Sequence, residues 1–289
     1  MNLKGTLKAY YVLAKPGIIY GNLITALAGF FLASDGHIQF GVLLAMAVGT
    51  SLVMGSGCVF NNYMDRRIDA LMARTKQRAL VTKTISKGAA LTYGTVLGFL
   101  GAAILAYWTN PLAASVAVAG WILYVLVYGI AKRRTVHGTL IGSISGAVPP
   151  VIGYVAVSNR LDLAAFLLFL MLVFWQMPHF YGIAMYRLHD YAEAKIPVLP
   201  VVKGMRAAKV QSLVYIILFG LAAASPTIYG YTGYIYLAVM AVLSLAWLRV
   251  ALTDFNGKFD AVWGRKVFRF SLVLITALSV MISIGGILP

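Results

Sequence analysis

Acidic side chains are scarce in this sequence of 289 residues, which holds 8 Asp and Glu against 24 Lys and Arg. Charged residues make up only 11% of the chain and hydrophobic residues 61%, a balance that water-soluble globular domains do not show. The single cysteine, Cys58, excludes an internal disulfide, a CxxC redox pair and c-type haem attachment. Low-complexity segments and hydrophilic blocks are also missing, so we expect one membrane domain over residues 1–289.

The sequence contains many long apolar runs. A run of about 18 residues or more can cross a bilayer core of roughly 30 Å as a helix. Lipid tolerates only helices and closed barrels, and these runs lack the dyad alternation of barrel strands. The sequence therefore predicts an all-α bundle of nine transmembrane helices, at residues 15 to 33, 40 to 60, 88 to 108, 111 to 130, 139 to 157, 163 to 185, 209 to 230, 232 to 252 and 267 to 287.

The basic residues are distributed on one side of these nine spans. Every Lys and Arg except Arg160 falls in the N-terminal arm or near the loops after the second, fourth, sixth and eighth spans. The positive-inside rule makes this face cytoplasmic. We therefore predict a multi-pass cell-membrane protein with its N-terminus in the cytoplasm and its C-terminus on the outer side. The positive charge reflects this topology and does not indicate a nucleic-acid partner.

Half of the acidic residues lie in two short stretches at the cytoplasmic ends of the second and sixth spans. In the first stretch, residues at four-residue steps stack on one face of a continuing helix. Mg²⁺ binds a few carboxylates and completes its shell with water and phosphate oxygens. We therefore predict that both stretches border one cavity that holds Mg²⁺ and a diphosphate. The predicted catalytic residues are Asp65, Asp69 and Asp190, and the predicted metal ligands are these three with Asn61 and Glu193.

Basic and aromatic side chains suited to such a substrate flank the acidic stretches. Cationic groups bind a diphosphate directly and neutralise it as it leaves; the predicted set is Arg66, Arg74, Lys76, Arg78, Lys132 and Arg133. The allylic cation left behind needs dry, electron-rich surroundings, for which the candidates are Tyr124, Tyr128, Trp175, Phe180 and Tyr181. The alternatives are that Asp65 and Asp69 only pair with neighbouring arginines in a solvated loop, and that each aromatic residue belongs to an interfacial belt.

Five motifs extend this pattern along almost the whole chain. The first is Asn61-xxx-Asp65-xxx-Asp69 with Met72-Ala73-Arg74-Thr75-xx-Arg78. The others are Tyr124-xxx-Tyr128 with Lys132-Arg133-Arg134-Thr135, then Gly146-Ala147-Val148-Pro149-Pro150, then Trp175-Gln176-Met177-Pro178-His179-Phe180, and finally Tyr186-Arg187-xx-Asp190-Tyr191-xx-Ala194 with Leu199-Pro200-Val201. Together these motifs resemble the intramembrane prenyltransferases, and within them the haem O synthase branch.

The resemblance implies a nine-helix bundle around a central cavity, in which farnesyl diphosphate is ionised with Mg²⁺. A vinyl group of haem b attacks the farnesyl cation and water then adds, so haem b is a substrate and not a permanent cofactor. The resemblance assigns the first acidic stretch to one metal-diphosphate motif and Asp190 to the second. Ala194 stands where the wider superfamily often has an acid, which leaves Glu193 as the other carboxylate of this loop. Lys132 and Arg133 fall on a basic motif for diphosphate or haem propionates.

The remaining expected substrate contacts are Tyr124, Tyr128, Arg187 and His179. For His179 the alternatives are a contact to haem iron or a propionate and a helix-to-helix hydrogen bond. Transient contact with haem-handling proteins or a terminal oxidase is a further expectation. Two other functions stay open at this point. One is a prenyltransferase of the same architecture for 4-hydroxybenzoate or a quinone precursor, and the other is a transporter, although transporters place their charges near the midplane.

Overall fold

The computed structural model describes residues 3–286, and every regular element in that range is helical. In chain order the elements are α1 (Leu3–Leu13), α2 (Pro16–Ser34), α3 (Phe40–Asp69), α4 (Lys87–Trp108), α5 (Pro111–Ile122), a π-helical stretch (Leu123–Tyr128), α6 (Gly129–Arg134), α7 (Gly138–Gly146), α8 (Val148–Ser158), α9 (Leu163–Tyr186), α10 (Leu188–Glu193), α11 (Leu199–Ile228), α12 (Tyr234–Leu252) and α13 (Asp260–Ile284).

Nine helical segments between residues 3 and 286 are long and apolar enough to cross a membrane, which confirms the predicted number and the all-α class. Seven of them correspond to one element each, α2, α3, α4, α9, α11, α12 and α13, of which α11 is kinked at Gly204. The other two are composite: Pro111–Arg134 joins α5, the π-helical stretch and α6, and Gly138–Ser158 joins α7 and α8.

Several helices extend beyond the apolar runs that predicted them. The second span was expected to end at residue 60, but α3 continues to Asp69, and α11 begins at Leu199 instead of residue 209. Helical hydrogen bonding does not require apolar side chains, so polar residues prolong α3 after the hydrophobic signal has ended. The segment Leu199–Ile228 is interrupted at Gly204, whose φ of 80° and ψ of 169° are not helical, so a short helical turn precedes the main part of α11. Similarly, α13 begins at Asp260, before the predicted residue 267. The predicted end of this span at residue 287 lies outside the described residues.

The fifth span is broken close to its pair of prolines. The break lies at Ala147, between α7 and α8, and Pro149 and Pro150 occupy the first turn of α8. A proline fits the first turn of a helix because the N–H that it lacks would have no intrahelical partner there. Both prolines are buried among other helices, so no freed backbone group faces lipid.

Glycines bring the backbones of neighbouring helices into direct contact. A Cβ atom added at Gly153 of α8 would overlap the carbonyl group of Ala26 in α2, and one added at Gly29 of α2 would overlap that of Pro150. Gly49 of α3 and Gly101 of α4 oppose each other in the same way. Lipid gives helices no hydrophobic reason to associate, so such close van der Waals packing holds them together.

Large buried side chains fill the centre between α9, α11, α12 and α13. The indole N–H of Trp247 in α12 donates to the carbonyl oxygen of Val267 in α13 at 3.1 Å, and that of Trp263 in α13 donates to Ala251 at 2.9 Å. In contrast, Phe99 and Tyr107 on α4 are 75% and 82% exposed, as expected for side chains that face lipid. These large side chains fill one side of the bundle. The other side, around α3, therefore has room for a cavity.

The contact between α2 and α8 yields a stability prediction. We expect Gly153→Leu to destabilise the bundle by about 1–3 kcal/mol or more, because the new side chain must displace the α2 backbone. Thermal unfolding of the detergent-solubilised protein should therefore begin at a clearly lower temperature. Gly41→Leu is the matched control, because nothing lies within 4 Å of a Cβ atom at that position. Equal unfolding temperatures for both variants would contradict the described packing.

Candidate active site

A cavity of about 630 Å³ lies inside the bundle and is lined by residues of α2, α3, α5 to α9 and α13. Along α3 its wall extends from Asp69 to Thr50, which corresponds to roughly 28 Å of helix at 1.5 Å per residue. Polar and charged groups lie at the Asp69 end, and side chains such as Val53, Val148 and Ile152 lie at the other. The cavity therefore combines a charged mouth with a long apolar interior.

The first acidic stretch stands at the mouth, as predicted. Asn61, Asp65 and Asp69 all line the cavity on the last turns of α3, so the helix does continue through the motif. Asn61 and Asp69 are 4% and 2% exposed. A carboxylate at such depth requires paired charges, since desolvation otherwise disfavours its ionised form.

Each of these acids is paired with a cation from the predicted basic set. Lys132 Nζ and Arg133 Nη2 donate to the two oxygens of Asp65 at 2.5 and 2.7 Å. Arg78 Nη1 donates to Asp69 Oδ2 at 2.7 Å. Asp65 and Asp69 therefore do pair with basic residues, but at the wall of a cavity and, for Asp65, with residues from α6. The alternative of a solvated loop thus fails for both.

Lys15 is a residue of this site that the sequence did not predict. Its Nζ donates to Asn61 Oδ1 at 2.8 Å, and it lines the cavity between α1 and α2. Burial lowers the pKa of Lys15 to about 8, and the neighbouring Arg78 and Lys132 act in the same direction. Lys15 also adopts a left-handed backbone conformation, with φ 55°. The signal available in the sequence was a lysine directly before Pro16, on the same predicted side of the membrane as the two acidic stretches.

The rest of the predicted basic set divides into two groups. Arg74, Arg78, Lys132 and Arg133 line the cavity. Two others stay off its wall: Arg66 donates to the carbonyl oxygen of Tyr63 at 2.6 Å and lies over the Tyr63 ring, and Lys76 is exposed on the loop after α3. A sequence window around an acidic motif cannot separate these groups, because the path of the loop decides which side chains turn inward.

The second acidic stretch borders the cavity through its neighbours. Tyr191 and residues 196–198 line the wall, so this loop and the first stretch lie at the same end of the bundle. Burial raises the pKa of Tyr191. Asp190 lies 3.7 Å from Arg187 and Glu193 lies 3.4 Å from His189, and neither carboxylate is on the cavity wall. Ligand atoms of His189, Asp190 and Glu193 fall within 4.8 Å of one another. The predicted metal role of Asp190 and Glu193 stays a prediction.

Four of the five aromatic candidates line the cavity, namely Tyr124, Tyr128, Trp175 and Phe180. The rings of Tyr124 and Tyr128 stack with centroids 5.7 Å apart, on the π-helical stretch that turns both inward. The fifth, Tyr181, is off the wall because its hydroxyl donates to Gln211 of α11 at 2.7 Å. Residue spacing at 3.6 per turn does not show which aromatic residues face inward when the helix changes its period.

His179 lines the cavity below the charged mouth, beside Gln176. Its Nδ1 lies 2.8 Å from the hydroxyl of Ser271 in α13, so the predicted helix-to-helix hydrogen bond exists. The ring packs against Trp175 and Phe268, with centroids 4.7 and 4.9 Å away. One nitrogen thus anchors the ring to α13, while the side chain as a whole forms part of the cavity wall.

Comparison with known proteins places this architecture. The sequence profile of the UbiA prenyltransferase family matches residues 22–275. The chain is 53% identical to protoheme IX farnesyltransferase 2 of Pseudomonas fluorescens, over 96% of this chain and 95% of that protein. It is 50% identical to protoheme IX farnesyltransferase of Protochlamydia amoebophila, over 94% and 96%. The chain belongs to the UbiA prenyltransferase family. Within that family it groups with the protoheme IX farnesyltransferases.

Solved structures of UbiA proteins share the fold. A digeranylgeranylglyceryl phosphate synthase superposes with a TM-score of 0.81 at 19% identity, over 98% of this chain and 99% of that one. A UbiA homologue from Archaeoglobus fulgidus, solved with DMAPP and Mg²⁺, superposes with a TM-score of 0.72 at 15% identity, over 92% and 98%. At these identities the likeness concerns the fold, and the UbiA bundle is therefore the architecture of this chain.

The donor set at the mouth of this UbiA cavity fits a divalent metal ion. Asp65 and Asp69 offer carboxylate oxygens and Asn61 an amide oxygen, one helical turn apart on one face of α3. Oxygen donors of this kind suit hard cations, which keep several positions for water or phosphate oxygens. The basic residues that pair with these acids line the same mouth.

The ion pairs of Asp65 yield a second stability prediction. We expect Asp65→Asn to destabilise the protein by about 2 kcal/mol, because Lys132 and Arg133 lose a charged acceptor in a half-buried site. The control is Asp190→Asn, whose ion pair is more exposed and longer, at 3.7 Å, and contributes at most about 1 kcal/mol. Thermal unfolding of both variants without ligands measures the difference. An equal effect would contradict the described pairing.

Proposed function

We propose that this protein transfers a farnesyl group from farnesyl diphosphate to a vinyl group of haem b and so produces haem O. The observation that carries the proposal is the cavity itself. A charged mouth, with Asp65, Asp69 and five cations on its wall, opens into an apolar chamber. A prenyl diphosphate has the same division into a charged head and an apolar tail. The named relatives are protoheme IX farnesyltransferases, which supports haem b as the acceptor.

In this proposal the mouth binds the diphosphate and stabilises it as a leaving group. Asn61, Asp65 and Asp69 would hold Mg²⁺, which supplies a Lewis acid that neutralises charge on the departing oxygens. Lys132, Arg133 and Arg78, which now donate to the acid oxygens, would then be available to donate to phosphate oxygens. These donors are already positioned, so little reorganisation is required when negative charge develops.

The chamber below the mouth protects the farnesyl cation. Tyr124 and Tyr128 stack on each other and both line this chamber, and the quadrupole of an aromatic ring attracts a cation. Apolar walls keep bulk water away from the cation until it meets the vinyl group. The porphyrin would share this chamber with the farnesyl group, and its propionates suit the basic residues of the mouth. We further propose that the protein lies in the cell membrane with this mouth towards the cytoplasm.

Expression in a bacterial host without its own haem O synthase tests the proposed activity. Haem extracted from cells with the wild-type protein should contain haem O, identified by mass spectrometry. Asp65→Asn should lower haem O at least about 100-fold, because stabilisation of the leaving group is lost. The control is Asp254→Asn, whose carboxylate is 65% exposed and pairs with Lys266 away from the cavity. It should retain wild-type activity.

The same cells distinguish the acceptor. Unmodified haem b together with a prenylated phenol in the lipid extract would refute the haem assignment while keeping prenyl transfer. A wild-type level of haem O in Asp65→Asn would refute the role of the acidic mouth.

A further inference from the structure

Two polar side chains interrupt the apolar part of the cavity wall on α9. Gln176 and His179 both line the cavity, three residues apart. Residues at this spacing are neighbours on one face of a helix, with Cβ atoms about 5–6 Å apart. Uncompensated polar groups at this depth are costly, so each calls for a partner or a function.

The hydrogen bonds of Gln176 fix the orientation of its amide. Nε2 donates to the carbonyl oxygens of Ser143 at 3.2 Å and Leu172 at 3.0 Å. Both partners are acceptors, so the nitrogen must face them, and Oε1 is left on the other side. Oε1 lies against Gly146, which also lines the cavity, and the hydrogen bonds of this amide among residues 3–286 are the two from Nε2. Gln176 therefore offers a free acceptor at the cavity wall.

The hydrogen bonds of Ser271 fix the tautomer of neutral His179. The Ser271 hydroxyl has a single hydrogen, which it donates to the carbonyl oxygen of Phe268 at 2.6 Å. Its oxygen must then accept the hydrogen bond from His179 Nδ1, at 2.8 Å. Nδ1 is consequently the protonated nitrogen, and Nε2 carries a lone pair. Within the described part of the chain, Nε2 has no hydrogen-bond partner.

We propose that Gln176 Oε1 and His179 Nε2 hold the water molecule that becomes the hydroxyl group of the product. The proposal rests on the proposed function, because the reaction must add one water after the carbon–carbon bond has formed. Both groups are acceptors, so they orient the two O–H bonds of one water towards α9. The oxygen lone pairs then face the chamber, where the cation lies.

The water adds after the carbon–carbon bond has formed. The C–O bond of farnesyl diphosphate breaks, and the terminal vinyl carbon of haem b bonds to C1 of the farnesyl group. The positive charge then lies on the vinyl carbon next to the porphyrin ring. The water oxygen bonds to this carbon while one proton passes to His179 Nε2, and the imidazolium later releases it to the departed diphosphate. Gln176 keeps the water oriented and remains unchanged.

Loss of the held water has a product of its own. A cation that meets no nucleophile loses a proton from the neighbouring methylene carbon and becomes an alkene. This dehydrated product is lighter than haem O by one water, so mass spectrometry separates the two. The ratio of dehydrated product to haem O reports on the water site independently of how much farnesyl group is transferred.

The experiment compares variants of the purified protein supplied with haem b, farnesyl diphosphate and Mg²⁺. Gln176→Leu and His179→Phe should raise the ratio of dehydrated product to haem O at least tenfold, while diphosphate release continues. Ser271→Ala should raise it less, because the ring remains but its tautomer is no longer fixed. His179→Gln keeps an acceptor and should restore part of the haem O. Ser283→Ala is the matched control on α13, where the hydroxyl only donates to the carbonyl of Ser279.

Several results would overturn the water site. An unchanged product ratio in Gln176→Leu and His179→Phe would do so, as would loss of diphosphate release in every variant, since water adds after ionisation. A shift of the Soret band of bound haem in His179→Phe alone would assign the lone pair to the iron instead. If the wild-type protein forms neither product, the proposed function fails, which is a separate outcome.

Discussion

The pairing of carboxylates with cations at the mouth of the cavity is the constraint on which the rest of the site depends. Asp69 is almost fully buried and Asp65 is largely so, and a buried carboxylate is costly unless it is paired, as these two are with Arg78, Lys132 and Arg133. These partners come from the loop after α3 and from α6, so the ion pairs also tie separate elements together. The same charges prepare the mouth for a metal ion and a polyanion, each of which can replace one half of a pair.

Lipid imposes the second constraint, because it removes the hydrophobic effect as a reason for helices to associate. Close backbone contacts replace it, and glycines such as Gly29 and Gly153 allow α2 and α8 to touch. The break at Ala147 serves the same interface, since it places Pro149 and Pro150 in a first helical turn where both are buried. A bundle packed this tightly on these faces still encloses a large cavity beside α3.

Polar groups inside the chamber then acquire defined roles from their hydrogen bonds. The amide nitrogen of Gln176 donates to two carbonyl oxygens, and the N–H of His179 donates to the Ser271 hydroxyl. Both are left as acceptors, in a chamber whose mouth is rich in donors. This separation of donors at the mouth from acceptors in the interior suits a reaction that needs an anion stabilised first and a water molecule activated later.

The sequence by itself determined the all-helical class, the nine spans and the position of Asn61, Asp65 and Asp69 on one helical face, because each follows from local composition or from a fixed helical period. The tertiary structure decided which of the predicted side chains face the cavity, because local periodicity carries no information about these directions. It turned Arg78 inward and left Lys76 outside, and it brought Lys15 to Asn61 across 46 positions. Loop paths and the π-helical stretch set these directions, and both depend on contacts between residues far apart in the chain.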